Sequence, residues 1–302
     1  MRIGIDLGGS HIACGVVKED GQIIQKEQID LQEKENLSEK IVEFIEELIE
    51  NILKKQQLTI SNIDSIGIAT PGTASNGYII HAVNLGIEKF HIAEILQQKY
   101  PAKVYVKNDA KCAAIAEYHY GCMKEYSDCV FLTLGTGIGG AAFINNKLIE
   151  PKKNPGFEFG HMIIEKNGKI CHCGKRGCFE TYASMKVLKE NLREILKLGN
   201  QVDGIKLLEI VKAKKGEENV QEIIKEYIEN LSIGLSNLIN IFEPEVVAIG
   251  GSFTYYQDIL LKPLQERLEK KDLLFNRKYT PEIKLAMLKN DAGILGASML
   301  RK

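Results

Sequence analysis

A chain of 302 residues, 44% hydrophobic and 26% charged, has the composition of a globular protein with a real core, in one large or two medium domains. Its formal net charge of −1 argues against non-specific binding to nucleic acid or an anionic membrane, both of which need a basic excess. No apolar run approaches the roughly 20 residues that span a bilayer, and "MRIGIDLGG" lacks the apolar segment of a secretory leader, so a cytoplasmic protein is expected.

In chain order, "RIGIDL" and "IACGVVK" predict two short strands joined by Gly8-Gly9-Ser10, and "EDG" turns the chain into a third, "QIIQKEQID". Between residues 37 and 55, Ile41, Phe44, Ile45, Leu48, Ile49 and Ile52 recur at helical spacing with charge on the other face. "IDSIGIATPG" predicts a buried strand ending in a Pro-Gly turn. "AKVYVKND" predicts another strand, and "AKCAAIAEYHYG" a helix closing on glycine. The segment "SDCVFLTLGTGIGGAAFINNKLI" repeats the opening: apolar strand, glycine turn, apolar strand, then a polar turn at Asn145-Asn146. Two such hairpins suggest two related halves. Beyond a cysteine-rich stretch the chain reads as mainly helical to about residue 242. "IFEPEVVAIGGSF" then predicts a buried strand ending at Gly250-Gly251, and "DAGILGASML" a small-residue helix. The expected division is 1–118 as one α/β lobe, with 291–302 packing back on it, and 119–290 as a larger second lobe, with the crossover near 108–125.

Seven cysteines, an odd number, fit thiols or metal ligands rather than a disulfide framework. Cys14, Cys112, Cys122 and Cys129 sit singly and read as small buried hydrophobes. "GHMIIEKNGKICHCGKRGCFETYAS", residues 160–184, is different: Cys171, Cys173 and Cys178, with His161 before them, supply three thiolates and an imidazole. Their softness and number suit a closed tetrahedral zinc site. Gly174 and Gly177 permit the tight turns that gather the sulfurs. An iron–sulfur cluster usually takes four cysteines, and a redox switch would favour the C-x-x-C spacing. His172 is a competing ligand.

Asp6-Leu7-Gly8-Gly9-Ser10-His11 is followed by no Gly-Lys-Ser/Thr and by a returning strand, so it is neither a Walker nor a Rossmann loop. It offers close backbone approach, with N–H groups unobstructed by a Cβ. Asp6 could orient water around a magnesium ion, and Ser10 adds a hydroxyl. Gly135-Thr136-Gly137-Ile138-Gly139-Gly140 offers the same chemistry from the second half, and two facing hairpins would clamp a polyphosphate.

"IGIDLGGSHIACGVV", "LTLGTGIGGA", "GHM", "CHCGKRGCFETYAS" and "VVAIGGS", in this order over nearly the whole chain, resemble the ROK family of bacterial sugar kinases and repressors. The resemblance implies an actin-like (ribonuclease H-like) duplicated α/β fold with two lobes around a cleft. It also implies ATP and Mg2+ in that cleft, and phosphorylation of a hexose 6-hydroxyl. Asp109, in "KNDAKCAA", can be read as a helix N-cap; the resemblance makes it the base that takes the hydroxyl proton. A sugar is held by carboxylates and amides, for which Asn84, Asn108, Glu158, His161 and Glu180 are candidates, with Gly72 allowing backbone approach. The resemblance assigns Glu158, His161 and Glu180 to the sugar, and favours His161 over His172 as fourth ligand of Zn2+. The zinc is then a scaffold: it fixes the tautomer of His161 and pins the loop carrying Glu180. Gly250, Gly251 and Ser252 would receive the adenosine, though an ordinary strand-to-helix turn is the plain alternative.

The family usually has glycine immediately before the glutamate of its "GE-x-GH" motif; here that residue is Phe157, after Gly156. With no tryptophan in the chain, one residue common in glucose-preferring members is missing. Glucose is the expected acceptor, with N-acetylmannosamine, N-acetylglucosamine or fructose as rivals. A DNA-binding repressor is not expected, since the first strand begins at residue 2, and a binding protein without catalysis is a remote alternative. Family members are commonly dimers or tetramers, so a homo-oligomer, a homodimer above all, is expected.

Overall fold

The computed structural model describes the chain except residues 32–36, 76, 83–84, 152–155, 200, 272–279 and 302. It divides into two compact units, one built from Met1–Lys124 and Leu288–Lys302, the other from Glu125–Glu150 and Gly156–Met287.

The first unit is organised on a five-stranded sheet. Strands β1 (Arg2–Leu7), β2 (His11–Val17) and β3 (Ile23–Asp30) form an antiparallel meander. The β2–β3 turn is closed by Asp20, whose carboxylate accepts from the Gln22 N–H at 3.0 Å. Helix α1 (Leu37–Lys55) lies against β2 and β3. Its Ile41, Ile45, Leu48, Ile49 and Ile52 are buried, the stripe that the helical spacing predicts. Each such side chain contributes about 1.5–3 kcal/mol on leaving water. Strand β4 (Ser65–Thr70) runs parallel to β1, six consecutive buried residues, as expected of a strand covered on both faces. A three-stranded sheet of β5 (Thr73–Ser75), β6 (Tyr78–Ala82) and β7 (Ile87–Phe90) follows, then α2 (Ile92–Lys99). The sequence did not announce these elements: the strands are three to five residues long and mostly half-exposed, too short for a legible alternation. Strand β8 (Lys103–Asn108) completes the main sheet in the order β3-β2-β1-β4-β8 and passes directly into α3 (Asp109–Tyr120).

The second unit repeats this plan. Strands β9 (Cys129–Leu134), β10 (Ile138–Ile144) and β11 (Lys147–Leu148) are antiparallel. The β10–β11 turn is Asn145-Asn146, with φ of 51° and 61°, the left-handed pair that suits a two-residue hairpin. Helices α4 (Glu180–Ala183), α5 (Met185–Ile195), α6 (Gly204–Lys214) and α7 (Glu218–Phe242) precede β12 (Val246–Gly251). Helix α8 (Gln257–Lys271) and β13 (Glu282–Leu285) complete the unit. The sheet order is β11-β10-β9-β12-β13, with the last two pairings parallel, the same strand plan as in the first unit. Duplication, read from one pair of hairpins, therefore extends to five strands. The molecule is α/β with the doubled actin-like plan.

The helix Ala292–Ser298 packs on β1, β4 and α3 and is buried along its length. It approaches the sheet backbone to backbone. A Cβ on Gly4 would lie 1.9 Å from the Ile294 carbonyl oxygen, and one on Gly67 would lie 1.8 Å from that of Ala297. The buried carboxylate of Glu117 anchors the segment leading into it, accepting from the N–H groups of Cys122 at 3.0 Å and Leu288 at 2.8 Å. No described helix is long and apolar enough to cross a membrane.

Candidate functional site

In the first unit the candidate residues Asn108 and Asp109 stand at the junction of β8 and α3. The capping role falls to Asn108, whose side-chain oxygen accepts from the Lys111 N–H at 3.2 Å. Its amide nitrogen donates to the Gly72 carbonyl and to Asp109 Oδ1, both at 2.9 Å. The capping alternative for Asp109 is thereby corrected: Asn108 is the N-cap and Asp109 is the first helical residue. Both ends of the Asn108 amide are thus engaged within the protein, and its oxygen keeps a second lone pair. Gly72 has φ of +75°, and a Cβ there would lie 2.1 Å from the His81 carbonyl oxygen, so no other residue fits without displacing backbone.

The Ala110 N–H also donates to Asp109 Oδ1, at 2.7 Å. Oδ2 accepts nothing from the described residues, so one oxygen is held and the other is open. Solvent reaches the side chain, yet protein crowds the carboxylate. That desolvation, with the charge of Asp6, raises its pKa from 3.8 to about 6 against the opposing hydrogen bonds. Asp6 is itself held above the usual carboxylate range by burial, partly offset by His11. In the adjoining turn, Gly8 N–H donates to the His11 carbonyl at 2.9 Å, and Ser10 Oγ lies 3.2 Å from His11 Nδ1. The Gly9 N–H, by contrast, meets no acceptor among the described residues.

In the second unit the hairpin of residues 135–140 is closed by Gly135 N–H donating to the Gly137 carbonyl at 3.0 Å, and the Gly135 carbonyl accepts from Lys186 N–H at 3.1 Å. Ile138 N–H donates to Glu180 Oε2 at 2.9 Å. Among the described residues, the N–H groups of Thr136 and Gly137 remain without acceptors. Glu180 opens α4, and its Oε1 lies 3.2 Å from His172 Nδ1. Glu158 is exposed, and its carboxylate makes no hydrogen bond with the described residues. Phe157, before it, has φ of +60°. The left-handed region costs a residue with a Cβ roughly 1 kcal/mol or more.

His161, Cys171, Cys173 and Cys178 bring one donor atom each within 4.8 Å of one another. Cys171 Sγ lies 3.6 Å from His161 Nδ1, and Cys173 Sγ 3.6 Å from Cys178 Sγ. Bonds of about 2.3 Å to sulfur and 2.0 Å to nitrogen around a tetrahedral centre give edges of roughly 3.8 and 3.6 Å. Those two edges therefore match a tetrahedral ion, and every other pair of the four donors lies within 4.8 Å. Burial raises the thiols of Cys171 and Cys178, the latter to about 12, while the Lys175 backbone N–H lowers Cys173. Three thiols so close together ionise unwillingly unless a cation joins them. His172 belongs to a second group, with Cys171 and Glu180, that offers only three donors.

Gly250 and Gly251 end β12, and Gly251 has φ of +72°. Ser252 Oγ accepts from Lys189 Nζ at 3.2 Å, and that ammonium lies 5.7 Å from the centre of the Tyr256 ring. Burial lowers the pKa of Lys189. Sequence reading missed Lys189 because it is one of many lysines on a helix; only folding brings it to the β12 turn. Asn84, the remaining candidate, lies outside the described residues.

Comparisons with known proteins agree with the doubled α/β fold. The model of the ROK family matches residues 2–302. A xylose repressor from Caldicellulosiruptor bescii is 32% identical over 97% of this chain and 76% of its own length. A glucokinase from Thermotoga maritima is 31% identical over 99% of this chain and 96% of its own. The crystal structure of a ROK family glucokinase from Streptomyces griseus in complex with glucose and AMPPNP matches with a TM-score of 0.80 at 28% identity, covering 98% of this chain and 97% of that one.

Proposed function

The chain belongs to the ROK family, and from that premise we propose that it is an ATP-dependent hexose kinase acting on the 6-hydroxyl of glucose. The observation that carries the proposal is the Asp109 carboxylate. One oxygen is clamped by Asn108 and Ala110, the other is open, and its proton affinity is raised toward neutrality. A general base works best under those conditions. In the reaction assigned here, Asp109 takes the proton of the sugar hydroxyl as its oxygen bonds to the γ-phosphorus. The bond from that phosphorus to the β-phosphate bridging oxygen breaks, and ADP leaves.

The other residues take roles their chemistry suits. Glu158, His161 and Glu180 hydrogen-bond the sugar hydroxyls, with Asn84 and the Gly72 backbone as further contacts. Asn108 orients Asp109. Asp6 through His11 and Gly135 through Gly140 present backbone N–H groups to phosphate oxygens, those of Gly9, Thr136 and Gly137 being free to do so. Gly250, Gly251 and Ser252 receive the adenosine, with Lys189 beside them. Magnesium bound with ATP would neutralise phosphate charge, and Asp6 is the carboxylate assigned to its water shell. Zinc is the ion assigned to His161, Cys171, Cys173 and Cys178, where it supplies structure and not phosphoryl chemistry.

An ADP-release assay across hexoses and N-acetylhexosamines tests the proposal. Turnover with glucose above the others is expected. A preference for N-acetylmannosamine, N-acetylglucosamine or fructose would change the substrate but keep the reaction. The identity to a xylose repressor favours one second reading, a sugar-responsive regulator. Sugar binding without turnover of any sugar would establish that reading and overturn the kinase.

A further inference from the structure

The hairpin of residues 135–140 is gripped at Ile138 from two sides, by residues of the motifs assigned to the sugar. Its N–H donates to Glu180 Oε2 at 2.9 Å. Its carbonyl oxygen lies where Gly160 alone permits contact, since a Cβ on Gly160 would sit 2.3 Å from it. A Cβ on Gly137 would likewise lie 2.1 Å from Glu180 Oε2, so the carboxylate fills the space above the turn. Glu180 is two residues beyond Cys178, and the Thr181 N–H and hydroxyl both bond back to the Cys178 carbonyl, at 3.0 and 2.7 Å.

From this geometry we infer that Glu180 is a positioning residue for the nucleotide: its carboxylate holds the hairpin in the shape that presents Thr136 and Gly137 N–H groups, and the cysteine knuckle holds Glu180. The inference rests on the assignment of that hairpin to phosphate. A sugar ligand alone would have no effect on ATP in the absence of sugar. A strut does, because a loosened hairpin must be ordered again on binding.

The test is ATP binding by the metal-loaded protein without sugar, for wild type, Glu180→Ala and Glu180→Gln, together with hydrogen exchange at the Ile138 amide. Glu180→Ala should weaken ATP about 10-fold, equivalent to about 1.4 kcal/mol, and should accelerate exchange at Ile138 while exchange in β9 stays slow. Glu180→Gln retains an oxygen acceptor for Ile138 and should stay within about 3-fold of wild type for ATP. Removing the metal from wild type with a chelator should accelerate Ile138 exchange as Glu180→Ala does. Unchanged ATP affinity and unchanged Ile138 exchange in Glu180→Ala would overturn the inference and leave the kinase reading standing. Wild type that binds no ATP would overturn both. Chelation that leaves Ile138 protected would remove the knuckle from the relay.

Discussion

The two units share one strand plan and differ in what fills the same places on it. The third residues of β1 and β4 are Gly4 and Gly67, paired across the sheet; those of β9 and β12 are Phe131 and Ala248, paired in the same register. In the first unit the bare backbone receives the helix Ala292–Ser298 at contact distance. In the second, the buried Phe131 ring occupies the space and reaches Gly250, where a Cβ would meet its Cζ at 3.1 Å. The glycine turns differ as well. Residues 8–10 are held by backbone bonds to His11 and Leu31 of the same meander, whereas residues 135–140 are braced by Glu180 and Gly160 from a segment built around a cysteine knuckle. A duplicated frame thus tolerates separate specialisation: one copy holds the Asp109 carboxylate beside a helix cap, the other gathers polar groups around a candidate metal centre.

The largest expected effect breaks that contrast at the first unit. Asp109→Asn should lower kcat by about 10²–10⁴-fold while sugar binding persists, as read by ADP release and calorimetry. In the wild type, kcat/KM should fall about tenfold per pH unit below about pH 6, where Asp109 becomes protonated. The linkage to stability has the opposite sense. A carboxyl whose folded pKa is raised from 3.8 to about 6 favours the fold at low pH, and that contribution is lost as pH rises through about 6. Asp109→Asn should therefore raise Tm more at pH 8 than at pH 4. A uniform Tm change would show that the carboxylate is not desolvated.

Metal removal should act on the second unit. Chelation or Cys178→Ser should lower its melting transition by about 10 °C, because losing roughly 3 kcal/mol moves a unit of this size by that order. A single transition shifted equally for both units, seen by exchange mass spectrometry, would show that the knuckle is not local to one copy. The smallest effect sharpens the glycine contrast. Gly67→Ala should cost about 1–3 kcal/mol in chemical denaturation, since the new methyl meets backbone and not a yielding side chain. The same added bulk is already present in the second copy, as Ala248. A neutral Gly67→Ala would mean that the helix Ala292–Ser298 is free to shift.

Much of this was legible before folding. Residues 2–30 and 127–149 announce their hairpins by apolar runs broken at glycine, and α1 by the spacing of its isoleucines. Cys171, Cys173 and Cys178 could be grouped with a histidine because few arrangements other than a metal site use three thiols and an imidazole so close in sequence, while the choice of His161 over His172 came from the family resemblance. The short strands β5 to β7 were not legible, nor was the division of labour between Asn108 and Asp109. Adjacent polar residues at a helix start look alike until backbone geometry decides which side chain turns back to cap. Phe157 was visible as a departure, but its cost was not, because φ is not a property of composition.

Residue order alone fixes the periodic and the local: where apolar side chains must be buried, where glycine allows a turn, and which donors lie near one another along the chain. The long-range contacts of those residues exist only in the folded chain. Folding sets Glu180 against Ile138, Lys189 beside Ser252, the Ala292–Ser298 helix on Gly4 and Gly67, and Asp109 in a crowded site that raises its proton affinity. The physical reason is that desolvation and backbone contact depend on every atom within a few ångströms, and most of those atoms come from distant parts of the chain.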